Sequence, residues 1–239
     1  MVGERLRFNI AFWVFPKAGI AEMTLRPLQG RPGFHEAMLV GQTLGVIGFF
    51  TRYRKDTYRS VMELVGGRLR PLEFHEEVII GRDVRRKRTT SFDYAARLAV
   101  RRTFRGTGEE RENYPMASGV VYDDYLSGLY NLRSGAYGPL REGRAYFLNI
   151  PRKHGLIRMD MAGREETRKL LEWDPGTRTF PKQYFSRISM EKQDLGSGTG
   201  RLSGWFDPCG VPLTGVVEDV AWFGDVTGTL FSREGGRPI

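Results

Sequence analysis

Glu4-Arg-Leu-Arg-Phe-Asn-Ile-Ala-Phe-Trp-Val14 alternates along its whole length. Leu6, Phe8, Ile10, Phe12 and Val14 point one way. Arg5, Arg7 and Asn9 point the other, joined there by Ala11 and Trp13. Period two with one apolar face marks a half-buried β-strand. The same pattern returns down the chain, so this stretch decides for a mainly β protein.

Working outward, Pro16-Lys-Ala-Gly19 reads as a turn and residues 20–28 as the partner strand of a hairpin. A second turn at 29–33 leads into a third strand over 34–41. Gly45-Val-Ile-Gly-Phe-Phe50 fits a short apolar helix or a buried strand, and periodicity does not arbitrate over so few residues. Residues 57–65 and 69–81 alternate on either side of Gly66-Gly67. Residues 91–94 and 98–104 continue as strands, and 106–113 read as a polar loop. A hairpin follows over 143–150 and 156–161. Residues 164–173 fit strand or helix, 180–192 a strand, and 195–200 a glycine-serine turn. Strands over 201–206, 213–220 and 221–231 close the chain. No Pro- or Ser-rich linker interrupts it, so one β-rich domain over 1–239 is expected.

One segment stands apart. Val121-Tyr-Asp-Asp-Tyr-Leu-Ser-Gly-Leu-Tyr-Asn-Leu-Arg-Ser134 predicts a helix over about 123–134. Asp123 or Asp124 can cap it, because a carboxylate accepts from the unpaired amides of a first turn. Leu126, Leu129, Tyr130 and Arg133 share one side at three- and four-residue spacing, and Gly135 supplies the stop. The expected architecture is a strongly curved antiparallel sheet or open β-barrel with this helix packed on or in it. Arg133 is expected to pair with Asp124 or with a strand carboxylate and fasten the helix to the sheet.

Among 239 residues, 40% are hydrophobic and 27% charged, with 30 glycines and 12 prolines. That length buries a core without metal or disulfide. The net charge of +9 favours anionic partners, although a basic surface needs none. The single cysteine, Cys209, excludes an intramolecular disulfide and a Cys-based zinc site. No run of 18 apolar residues predicts a membrane-spanning helix. Met1-Val-Gly-Glu4 shows no basic segment followed by an apolar run. A cytosolic protein and the mature form of an exported one both stay open.

No sequence motif assigns a catalytic residue, cofactor or metal. His35 and His75 share the pattern Phe-His-Glu, but Leu39 and Ile79 stand where a His-Glu-x-x-His site needs its second imidazole. A metal bridging His35 and His75 on neighbouring strands is the weaker reading. Gly196-Ser-Gly-Thr-Gly200 lacks the Lys-Ser/Thr ending of a phosphate loop. Adjacent carboxylates such as Asp123/Asp124 point to opposite faces if they lie on a strand, so they form no acid/base pair by themselves. Arg82–Arg88 holds five basic residues, Arg82, Arg85, Arg86, Lys87 and Arg88. It reads as a solvated strand end or turn, or as a contact for anionic lipid or glycan. Nucleic acid is disfavoured, since no reading motif accompanies it.

Several landmarks resemble a bacterial family of exported proteins, domain of unknown function 3108. They are Gly3-Glu4-x-Leu6-x-Phe8-x-Ile10, Ala18-Gly19-x-Ala21-x-Met23, Tyr58-x-Ser60, Leu69-x-Pro71-x-x-Phe74, Phe92-Asp93-Tyr94 and Asp124-x-Leu126-Ser127-x-Leu129-Tyr130-x-Leu132-Arg133. The resemblance implies a periplasmic or cell-envelope setting and no established catalytic residues. Candidate ligand-binding residues are Asp124, Ser127, Tyr130 and Arg133 from that helix motif, and Arg85, Arg86 and Arg88 from the basic cluster. The leading expectation is a non-enzymatic envelope protein that binds a lipid or other amphiphile in a concave sheet face. The alternatives are an envelope module with a filled core that binds protein or polysaccharide, and a glycan or cell-wall hydrolase. Oligomeric state is not readable.

Overall fold

A computed structural model describes residues 1–105, 108–174, 180–220 and 223–236. In chain order it shows β1 (Glu4–Phe12), β2 (Phe15–Pro27), β3 (Phe34–Thr43), α1 (Gly45–Phe50), β4 (Lys55–Val65), β5 (Arg68–Ile80), β6 (Asp83–Asp93), β7 (Leu98–Arg105) and β8 (Gly108–Pro115). Then come α2 (Tyr125–Arg133), β9 (Ala145–Asn149), β10 (Leu156–Met161), α3 (Arg164–Trp173), β11 (Tyr184–Ser189), α4 (Lys192–Leu195), β12 (Arg201–Phe206), β13 (Pro212–Val220) and β14 (Gly224–Glu234).

The strands form one 14-stranded antiparallel sheet in the order β8-β7-β6-β5-β4-β3-β2-β1-β14-β13-β12-β11-β10-β9. Each strand pairs with its chain neighbour, except that β1 meets β14 and β8 is not paired with β9. The sheet is therefore curved and open. The chain leaving β8 reaches the far edge through a parallel bridge between Tyr122 and Asn149. Because the strands alternate in direction, two ends can be told apart. The lower end holds Glu4, Leu69 and Arg233. The upper end, or mouth, holds the β1–β2 turn, α1, the β5–β6 turn and α4.

Alternation works as the opening strand predicts. Leu6, Met23, Leu25, Ala37, Met62 and Leu69 face inward and are almost wholly buried. The outer face carries ion pairs such as Arg7–Glu22, Arg59–Glu36 and Arg70–Glu63. Helix α2 plugs the lower half. Leu126 and Tyr130 join the inward cluster, and Leu132 packs with Tyr146, Met159 and Phe206. The helix is buried on nearly every side rather than along one stripe. Gly128 permits that, since a Cβ there would lie 2.4 Å from Cδ2 of Leu148.

Several expectations change. The first hairpin turns at Trp13-Val14, with Trp13 at φ 48°, not at residues 16–19. Phe12 pairs with Phe15, and residues 16–18 bulge opposite Ala11. A proline is tolerated there because a bulge needs no ladder donor. Residues 108–115 form strand β8 rather than a loop; Gly106 and Thr107 lie outside the described residues. Its charged edge hides any apolar alternation, and its carboxylates face arginines of β7 (Glu109 to Arg102, 3.6 Å). Residues 45–50 and 164–173 are helical. The strand expected over 180–192 is only Tyr184–Ser189, followed by α4. Of the basic cluster, Arg82 lies in the turn before β6, and Arg85, Arg86, Lys87 and Arg88 lie in the first half of that strand. Of the last expected strand, Ala221 and Trp222 lie outside the described residues. Among those residues no helix is long and apolar enough to cross a membrane.

Candidate functional site

Asp124, not Asp123, caps α2. Its Oδ1 accepts from the Leu126 and Ser127 amides at 2.8 Å, and the Ser127 hydroxyl accepts from the Asp124 amide at 2.8 Å. The Ser60 hydroxyl of β4 lies 2.5 Å from Asp124 Oδ2. Burial pushes the Asp124 carboxyl up to about 7, with the Ser60 and amide hydrogen bonds working against that rise. Asp123 turns into the same enclosed knot. It accepts from Asn131 (2.8 Å) and Ser127 (3.1 Å) and meets Arg68 and Tyr137. The two acids converge because they lead into a helix rather than lie on a strand. Neither lines the cavities described below.

At the other end of α2, Arg133 closes on Glu4, while Arg233 bridges Glu4 and Asp207. Tyr130 is fully buried beside it, with the Arg133 guanidinium 5.2 Å from the ring centre. Thus Asp124, Ser127, Tyr130 and Arg133 sit in the closed lower half, engaged by other protein groups. His35 faces inward on β3 and His75 outward on β5, with β4 between them, so the two do not share a metal.

The pleat divides the basic cluster. Arg85 and Lys87 are exposed on the outer face, whereas Arg86 and Arg88 turn inward in line with buried Thr90 and Phe92. Arg101 of β7 pairs with Thr90 and joins them on the inner face. These three arginines are loosely held. Arg88 Nη1 stands 4.0 Å from Glu76, and Arg101 Nη1 stands 4.0 Å from half-exposed Glu112. Arg86 has no ion-pair partner among the described residues. The Nε–H groups of all three are buried, and none meets a protein acceptor among those residues.

Arg86 also lines a cavity of about 270 Å³ just inside the mouth. The cavity is two-sided. Ile10, Phe12, Val217, Val220 and Val226 of β1, β13 and β14, with Phe223 just before β14, form an apolar wall. Opposite stand Arg54, Asp56, Tyr58 and Arg86 from β4 and β6. Arg54 is tied to Asp56 at 3.0 Å. Burial raises the Tyr58 phenol, and the nearby Asp56 and Glu76 charges add to that rise. A second cavity of about 200 Å³ lies between α2 and β9–β12, lined by Leu129, Leu148, Ile157, Met159, Ile188 and Leu202 among others. Tyr125 borders it. The Tyr125 hydroxyl accepts from Arg152 at 2.7 Å, and Arg152 is also paired with Asp194 of α4.

The mouth is ringed by exposed apolar side chains. Trp13, Val14, Phe49 and Phe50 are each at least 70% exposed, and Val46 and Tyr53 more than half. Exposed Lys17, Arg52, Lys55, Arg82 and Arg85 stand among them.

The chain is similar in fold to a crystal structure of a beta-barrel-like protein of domain of unknown function DUF1849 from Brucella abortus. The TM-score is 0.51 at 10% identity, covering 97% of this chain and 96% of that one. No protein-family model matches the chain, and no curated protein matches it. These findings overturn the resemblance to the 3108 family. The motifs behind it are what any curved antiparallel sheet with a plugging helix requires: alternation, tight glycines and an acidic cap. The envelope setting inferred from that family loses its first support with it.

Arg54, Glu76, Arg101 and Arg152 were not among the residues singled out from sequence. Arg86 and Arg88 were singled out from the charge of their cluster, with no face assigned to them. The opposition of Arg101 to Thr90 depends on strand register, which no local pattern displays.

Proposed function

We propose that the protein binds an apolar or amphiphilic ligand, such as a single-chain lipid, in the concave face of its sheet, and catalyses no reaction on it. The observation that carries this reading is the two-sided cavity, an apolar wall facing Arg54, Tyr58 and Arg86. Its volume of about 270 Å³ lies just below the ~300–1,000 Å³ usual for ligand pockets, which suits one chain rather than two. The ring of aromatic and basic side chains at the mouth suits contact with an anionic lipid surface, where aromatics insert and cations meet headgroups. That contact supports a cell-envelope setting. A single hydrogen-bonded sheet supports one domain over 1–239.

Native mass spectrometry after mild purification, together with uptake of a fluorescent fatty acid, tests the reading. A co-purified lipid or saturable uptake is expected. Absence of both contradicts it. One observation favours a second reading, an envelope module that binds protein or polysaccharide: α2 packs its Leu126 and Tyr130 into the main apolar cluster and occupies much of the lower half. Polysaccharide or protein binding by a chain that takes up no fatty acid would select it.

A further inference from the structure

The structure points to an anionic head on the ligand, a carboxylate or phosphate, held by Arg86, Arg88 and Arg101. This inference rests on the cavity reading above and adds the chemical class of the ligand.

The same chain shows how it closes an arginine when the pairing is structural. Arg133 meets Glu4 at 2.7 Å, and Arg7 and Arg54 meet their carboxylates at 3.0 Å. The three inward arginines differ. Two have carboxylates no nearer than 4.0 Å, and Arg86 has none, among the described residues. Their side chains are not idle surface groups, because Arg88 keeps 23% and Arg101 13% of its side-chain exposure. Among the described residues their buried Nε–H donors meet no protein acceptor, as is true also of the ion-paired Arg68, Arg133 and Arg152; what sets the three apart is that no close carboxylate offsets that desolvation cost.

Their placement fits one ligand. Arg86 and Arg88 are two residues apart on one strand face, and Arg101 is diagonal to Arg88 across the β6–β7 pair. Cβ atoms so related lie roughly 7–8 Å apart, so long planar guanidinium groups can converge on one anion. Carboxylates share this inner face, Glu110 of β8 among them, opposite Thr103. Glu76 is the buried carboxylate nearest Arg88, Glu112 is half exposed, and Asp56 and Asp194 are committed to Arg54 and Arg152. Arg86 belongs both to this row and to the wall of the mouth cavity. Arg88 and Arg101 lie beyond the lining, so an amphiphile whose chain lies on Val217, Val226 and Phe223 presents its head to Arg86, the near end of the row.

Decanoate, 1-decanol and inorganic phosphate, each titrated into the full chain at one fixed salt concentration, test this. The wild-type protein is expected to bind decanoate roughly 10- to 100-fold more tightly than decanol, the range for hydrogen bonds to a charged group. Phosphate is expected to displace decanoate weakly. R86Q/R88Q should bind the two decyl compounds alike. K87Q/R102Q removes the same charge from the same two-strand region but from the outer face, and should keep the preference. Melting temperatures of both variants confirm folding. Equal wild-type affinities for decanoate and decanol would overturn the anionic head while leaving the cavity reading intact. So would an R86Q/R88Q variant that keeps the preference, or a K87Q/R102Q variant that loses it equally. Phosphate binding as tightly as decanoate would assign the arginines to a free anion instead. Failure of both decyl compounds to bind the wild type would remove the cavity reading and this inference together.

Discussion

Arg133, at the end of α2, closes on Glu4 at the start of β1. Nη2 donates to Oε1 at 3.0 Å, Nη1 stands 2.7 Å from Oε2, and neither side chain shows more than 1% of its surface. Of the two partners expected for Arg133, the structure selects the strand carboxylate, which lies 129 residues away in sequence.

Breaking one side of such a pair leaves a buried charge alone. Arg133→Ala is expected to lower unfolding free energy by about 3–5 kcal/mol, a large share of the ~5–15 kcal/mol of an ordinary domain. Replacing both partners by apolar residues, Glu4→Leu with Arg133→Met, should cost less than Arg133→Ala alone, because no charge is stranded. Arg233 can then keep Asp207. Urea unfolding midpoints at unchanged m-value check this. An Arg133→Ala protein with wild-type stability would show that the helix is not fastened here.

Asp124 sets a pH dependence. Its folded pKa, about 7, lies above the ordinary 3.8, so between those values the native state holds a proton that the unfolded chain has lost. The stability it contributes is full below about pH 4 and is lost as pH rises through about 7. Asp124→Asn keeps an oxygen for the Leu126 and Ser127 amides and an NH₂ for Ser60. It should match wild type near pH 4 and exceed it by roughly 3–4 kcal/mol at pH 8, the order set by a shift of this size. A variant less stable than wild type at pH 8 would mean that the native fold does not disfavour the Asp124 carboxylate.

Much of the architecture was legible because it is local. The alternation of β1, the residues of β12 and the acidic cap of α2 all report short-range patterns. β8 was not legible, because Glu109, Glu110 and Glu112 show no apolar face. Pro16 and Gly19 gave a turn signal that the Trp13-Val14 hairpin overrode. The candidate site was half legible. Arg86 and Arg88 were named from charge alone, but Arg85 was named with them, and only the pleat separates it. The cavity wall joins β1, β13 and β14, a meeting of the two chain ends that no local pattern announces.

Gly128 records how closely α2 approaches β9. Gly128→Ala would place Cβ 2.4 Å from Leu148 Cδ2 and is expected to cost about 1–3 kcal/mol by overpacking, despite alanine's better helix propensity. Adding Leu148→Ala should return part of that loss, because the two side chains compete for one volume. Thermal unfolding of the single and double variants measures it. A neutral Gly128→Ala would mean that the plug has room to shift.

The mouth should act apart from the fold. Phe49→Ser/Phe50→Ser removes two side chains that are 70% and 75% exposed, so the melting temperature should stay near wild type. Sedimentation with vesicles of mixed zwitterionic and anionic phospholipid should weaken by at least about 10-fold, and added salt should weaken the wild type as well. Unchanged vesicle binding would remove the lipid-surface role of the mouth.

The most direct test of ligand binding compares fatty-acid titrations of the wild type and of a protein with its cavity filled. Val217 and Val226 face each other across β13 and β14 in the apolar wall. Val217→Trp and Val226→Trp, made separately, should each fill the space. The account predicts saturable binding of a fluorescent fatty acid by the wild type and at least a 10-fold loss in both variants, with melting temperatures retained. Equal binding by the wild type and both folded variants, or binding by none of the three, would contradict it.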